Sequence, residues 1–346
     1  MTLPASTNPD QGLLGARVRA IPPIRLWASL GAVFLAFELF FLVRWVGSTS
    51  FTPVTSGPDV PPGWMRFALV AGEVVLAAGA LWFVYRYLVV PWRRDRRVTI
   101  DGLLVVAALL ASPFDMLSNY WNYWFTYNSY LTNMGSIMSA LPGVSQPHGN
   151  GAGEAWPIVM LPSAYVVVFV GLAIVGCRLM AWMTLRWPSL GPVRLVALCY
   201  LATMLLYFVF DGVVCMPLGY WQFGGGHITL LNGNTYYRYP LQEMITAGAV
   251  FTIFTCWRFF RNDRGETLGE RGLYRLNGSF ATKTLQRLLA VYALVMIGMV
   301  ATYHLPNGIM AAHATDWPQD VQSRSYFTNN VCAKDTGRPC PPAMAR

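Results

Sequence analysis

Charge is what this chain has least of: of 346 residues only 12% are Asp, Glu, Lys or Arg, about half the usual share for a soluble domain. That scarcity, with 55% hydrophobic residues, excludes an ordinary water-soluble fold. Histidine is also scarce, with four in the chain, and none pairs with another at metal-ligand spacing. The six cysteines form no CxxC; Cys177, Cys199, Cys215 and Cys256 stand singly in apolar stretches, where a thiol behaves as a small hydrophobe. No zinc or iron–sulfur centre is therefore expected, and no metal. There is no GxGxxG, no Walker loop and no HExxH, and the run Gly224, Gly225, Gly226 has no strand before it, so nucleotide chemistry is disfavoured. No cofactor is expected. The net charge of +9 is not gathered into a basic patch interleaved with aromatics, which argues against a nucleic-acid partner.

What the chain does have is long apolar runs. A membrane-crossing helix needs about 20 such residues, and runs fall at about 26–46, 64–90, 102–124, 157–183, 194–216, 240–260 and 284–304. We expect an all-α, polytopic membrane bundle of about seven transmembrane helices in the cell membrane, partnered by the lipid bilayer. Lys and Arg mark cytoplasmic loops. With the N-terminus inside, 18 of the 25 fall on the inner side and seven outside. The expectation is N-in/C-out, with a cytoplasmic tail at 1–25, the membrane domain at 26–304 and an extracytoplasmic tail at 305–346. Cys332 and Cys340 lie in that last segment, where their spacing permits a disulfide and equally two free thiols. Nothing in the sequence fixes the oligomeric state.

Acidic side chains in lipid are expensive and face the bundle interior. Five occur in the spans: Glu38, Glu73, Asp115, Asp211 and Glu243, all in the outward halves. On an α-helix Asp115, Ser118, Asn119 and Asn122 form one stripe at i, i+3, i+4 and i+7. Tyr200, Thr203, Tyr207 and Asp211 form another. The stripes read either as interhelical hydrogen-bond seams or as the walls of a polar cavity. On the second reading Asp115 and Asp211 are the acid/base pair and Glu243 a supporting charge, because two carboxyls in a poorly solvated pocket separate into one proton donor and one acceptor. Asn119 and Asn122 would orient substrate hydroxyls, and Tyr207, Trp124 and Tyr127 would contact substrate. The aromatic run from Tyr120 to Tyr130 presents ring faces to a cation, or forms an interfacial belt. His148, His227 and His304 are weaker candidates for a proton relay. A retinal protein is excluded, since the interior of the last span has no lysine for a Schiff base.

Two stretches carry a likeness: Tyr127 to Gly149, YNSYLTNMGSIMSALPGVSQPHG, and Phe259 to Gly272, FFRNDRGETLGERG. With the NYWNYW segment before them they resemble the avermectin-type spirocyclase (AveC-like) family, over most of the chain from Leu26 to about Asn307. The resemblance implies a cofactor-independent membrane cyclase that closes a spiroketal by dehydrative cyclisation of a dihydroxy ketone of polyketide type, a hydrophobic small molecule. It supplies no catalytic residues. Phe259–Gly272 falls in an inner loop, away from the acids, so that loop is expected to fold back as a lid or anchor or to bring part of the site to the inner side. The competing readings are another proton-initiated cyclase of terpene type, and a transporter or receptor whose acids serve proton coupling or ligand binding.

Overall fold

The computed structural model describes residues 21–148, 153–224, 228–313, 317–334 and 336–340. Among them, six helices are long and apolar enough to cross a membrane: α1 (Pro23–Val46), α2 (Gly63–Asp95), α3 (Ile100–Asn119), α4 (Met160–Arg186), α5 (Pro192–Leu218) and α7 (Phe280–Ala312). The run expected at 240–260 is also a helix, α6 (Leu241–Phe259), but it is not one of the six. Gln242, Glu243, Thr246, Thr252 and Thr255 lower its hydropathy, and all but Gln242 are buried, so α6 spends its polar groups on its neighbours rather than on lipid.

Local sequence explains the helix starts. Pro23 and Pro192 stand in the first turns of α1 and α5, where a missing N–H costs nothing. Thr99 caps α3 by accepting the Gly102 amide at 3.3 Å, with Asp101 in the first turn complementing the helix dipole. Ser279 caps α7 in the same way. Small residues then let the helices close up. A Cβ on Gly31 of α1 would lie 1.9 Å from the Leu289 carbonyl oxygen of α7; Gly248 of α6 meets Met204 of α5, and Gly176 of α4 meets Thr255 of α6. Gly31→Ala should therefore push α1 off α7, costing about 1–3 kcal/mol, read as a lower unfolding temperature in mild detergent. An unshifted temperature would mean that this contact is not tight.

The helices alternate, so one end of the bundle gathers the loop after α3, the turn between α5 and α6 and the chain after α7. Three two-stranded antiparallel ribbons cover this end. Thr126–Tyr127 (β1) pairs with Trp221–Gln222 (β4), Asn133–Gly135 (β2) with Ala155–Pro157 (β3), and Thr229–Leu231 (β5) with Tyr239–Pro240 (β6). We call it the ribbon end, and the other the basic end, after Arg93, Arg94, Arg96, Arg97 and the Arg-rich loop following α6.

Two expectations about the ends of spans are corrected. The third run was expected to continue to about 124, but α3 stops at Asn119 and its last eight residues, Ser112–Asn119, form a 3-10 helix. Pro113 has no amide to give the Leu109 carbonyl, which accepts the Ser112 hydroxyl at 2.8 Å instead, and the ladder tightens. The last span was expected to end near 304, yet the helix runs to Ala312. The chain beyond it is packed against the ribbon end: Trp317, Val321, Tyr326, Phe327 and Val331 are buried, and Cys332 and Cys340 form a disulfide. Thr126 Oγ1 donates to the Phe327 carbonyl at 2.5 Å, and the Ser325 amide donates to Asp59 at 2.9 Å.

Candidate active site

A cavity lies within the ribbon-end half of the bundle. Its walls are mostly aromatic: Phe125, Phe169, Phe210, Phe223 and Phe251, interrupted by the polar tips of Tyr127, Tyr165, Tyr207, Tyr303 and Trp221. One carboxyl lines it, that of Asp115. Tyr127 donates to Asp115 Oδ2 and Tyr165 to Oδ1, each at 2.7 Å. Burial, and secondly the carboxyl beside it, push the Tyr127 phenol well above its ordinary pKa, so it stays a donor at physiological pH.

Irregular backbone aims these groups. The 3-10 segment carries Asp115, and π turns at Tyr165–Val170, Val209–Cys215 and Val300–His304 carry Tyr165 and Phe169, Phe210 and Asp211, and Tyr303. A π turn rotates the following side chains off the regular helical faces, and such turns recur at functional sites.

The other two expected acids stand behind the aromatic wall. Asp211 is wholly buried and does not border the cavity; its Oδ1 accepts the Trp221 indole N–H at 2.8 Å. Glu243, also wholly buried, accepts Tyr303 Oη at 2.9 Å, Trp124 Nε1 at 3.0 Å, Tyr207 Oη at 3.4 Å and Asn307 Nδ2 at 3.4 Å. Asp115, Asp211 and Glu243 are thus gathered about one cavity, the first directly and the others through phenols and an indole that line it. Among the described residues none of the three has an Arg or Lys partner.

The remaining expected residues divide. Tyr127 and Tyr207 line the cavity. Trp124 reaches Glu243 instead. Asn119 and Asn122 do not line the cavity, because the 3-10 geometry breaks the α-helical stripe that would have put them beside Asp115. Asn119 braces a turn, its Oδ1 accepting the Trp124 amide at 2.8 Å and the Phe125 amide at 3.2 Å; Asn122 Oδ1 accepts the next amide, of Tyr123, at 2.8 Å. Glu38 and Glu73 sit elsewhere. The first accepts the Tyr292 hydroxyl between α1 and α7, and the second holds Thr132 by its amide and hydroxyl at 3.0 and 3.1 Å. His304 bonds Ser118 at 3.2 Å, His148 is exposed on the surface, and His227 lies outside the described residues. Tyr165, Tyr303 and Trp221 were not expected. Among seventeen tyrosines and thirteen tryptophans no local signal marks them, since only the fold brings them to a carboxyl.

The structure defines a helical bundle with apolar, membrane-length helices and an aromatic cavity that holds one carboxyl between two phenols. The profile of the spirocyclase AveC-like family matches residues 95–327, and the chain belongs to that family. No curated protein and no solved structure matches it. The matched segment contains all three acids and every residue named above as lining the cavity.

Proposed function

We propose that this protein is a cofactor-independent membrane cyclase that closes a spiroketal from a dihydroxy ketone of polyketide type. The reading rests above all on Asp115, held between Tyr127 and Tyr165 and facing the aromatic cavity. In this scheme one substrate hydroxyl has added to the ketone, giving a hemiketal. Protonated Asp115 passes its proton to the hemiketal hydroxyl, the C–O bond breaks and water leaves. The resulting oxocarbenium ion is flanked by ring faces, which attract a cation. The second substrate hydroxyl then attacks that carbon and returns its proton to the Asp115 carboxylate, so the net change is the loss of one water. Glu243 and Asp211 hold Tyr207, Tyr303 and Trp221 in place and make the pocket electronegative.

In this reading α6 is the seventh crossing, sheltered from lipid by α4, α5 and α7, and the basic end is cytoplasmic, as its Arg-rich loops require. The cavity then opens toward the extracytoplasmic half. The test is turnover by purified protein in detergent, with a dihydroxy ketone converted to a product one water lighter and of a single configuration at the spiro carbon. Conversion of an apolar polyene instead would favour the terpene-type cyclase. Saturable binding without any conversion would favour a receptor or transporter.

A further inference from the structure

Glu154 lies outside the helices, just before β3, and no part of the cyclisation scheme uses it. Its side chain is wholly buried. Oε1 accepts Asn119 Nδ2 at 2.5 Å, while among the described residues Oε2 has no hydrogen-bond partner and no cation pairs with the carboxyl. Gln146 is within reach of the same carboxyl. Its amide nitrogen donates to the Asn119 carbonyl at 2.7 Å, and its Oε1 is buried with no donor among the described residues. Two orphaned oxygens in one buried cluster are costly. A proton on Glu154 removes the charge from a buried carboxyl that no cation among the described residues offsets.

Asn119 connects this cluster to the cavity. It donates to Glu154 and, at 2.8 Å, to the Phe125 carbonyl, while its Oδ1 accepts the Trp124 and Phe125 amides. Those two residues are what the cavity needs held: Trp124 reaches Glu243, and Phe125 is part of the wall. We propose that Glu154 is a positioning residue that works in its protonated form, fixing Asn119 and through it the turn that sets Trp124 on Glu243 and Phe125 against the substrate.

Burial pushes the Glu154 pKa up to about 8, against the opposing pull of the neighbouring Gln146 and Asn119 amides. The ionisable groups facing the cluster are the Tyr123 phenol, raised by burial and by Glu154 itself, and beyond it the exposed Arg338. Tyr123 therefore does not titrate in the same window. An unfolded Glu releases its proton near about 4.3. Between there and about 8 the folded chain holds a proton that the unfolded chain has lost, so stability falls as pH rises through that window.

Glu154→Gln is permanently uncharged and keeps an acceptor for Asn119, and so imitates the protonated acid. The expected result is an unfolding temperature that falls less steeply between pH 5 and 8 than in the native protein, roughly one titrating group fewer. Superimposable slopes would overturn the proposal, and this arm needs no substrate. The kinetic arm rests on the proposed cyclisation: turnover in the native protein should decline through about pH 8, and Glu154→Gln should lose one proton from that decline while keeping its rate at pH 7. Glu154→Ala, with no donor or acceptor, should lose about tenfold in kcat. An unchanged pH profile in Glu154→Gln, or full activity in Glu154→Ala, would overturn the positioning role.

Discussion

Asp115→Asn is expected to lower cyclisation turnover by about 10²–10⁴-fold, the usual contribution of a positioned general acid, while leaving the bundle folded. The amide has nearly the shape of the carboxyl and still accepts one of the two phenols, so the cavity should persist; what it lacks is a transferable proton. Elution as a single species in detergent and an unfolding temperature within a few degrees of the native one would establish that only the chemistry was lost. Asp211→Asn provides the contrast. Its carboxyl does not border the cavity and acts on it through the Trp221 indole that it holds, so it should lose much less, through misplacement of that indole. Equal losses in the two variants would restore them as a direct acid/base pair, and native turnover in Asp115→Asn would remove the proposed acid altogether.

The helix bundle was legible because hydropathy is additive along a run: six of the seven expected stretches are helices long and apolar enough to cross a membrane, and the seventh is the helix α6. It falls short of that standard for the reason that makes it interesting, its polar residues being buried against neighbours. The acids were legible because a carboxyl in an apolar run stands out, and three of the five surround one cavity. Geometry finer than a span was not. The stripe from Asp115 to Asn122 assumed an α-helix, and Pro113 abolished that assumption by tightening the last turns, which turned Asn119 from a wall residue into a brace. Glu154 had no signal at all, since a glutamate in a loop looks solvated until ribbons fold over it. The phenols of Tyr165 and Tyr303 acquire meaning only from π turns, which arise from tertiary packing rather than from any local sequence rule.

The FFRNDRGETLGERG segment, part of the likeness to the family, lies at the basic end, and its contacts assign it a bracing role. Arg287 of α7 grips Glu270 with Nε at 2.8 Å and Nη2 at 2.6 Å, and its Nη1 donates to the Val98 carbonyl at 2.8 Å. Thr267 and Glu270 form a capping box, and the Ile24 amide of α1 donates to the Arg271 carbonyl at 3.1 Å. Glu270 is 5% exposed. Burial alone would raise its pKa, but Arg287 and the Thr267 hydrogen bonds together hold it below the ordinary value. Arg287→Met should leave that carboxylate buried and unpaired, at about 3–5 kcal/mol. A depressed pKa adds stability above the unfolded value and loses it as pH falls through the folded one. The gap in unfolding temperature between native protein and Arg287→Met should therefore be widest at neutral pH and narrow below about pH 4. The added substitution Glu270→Gln should recover part of the loss, because it removes the stranded charge; a double variant that merely adds two losses would show the pair to be uncoupled. Below its own unfolding temperature Arg287→Met should cyclise substrate at the native rate. If folded Arg287→Met protein were inactive, the basic-end loop would have to be counted in the reaction, and the cavity around Asp115 would no longer account for turnover by itself.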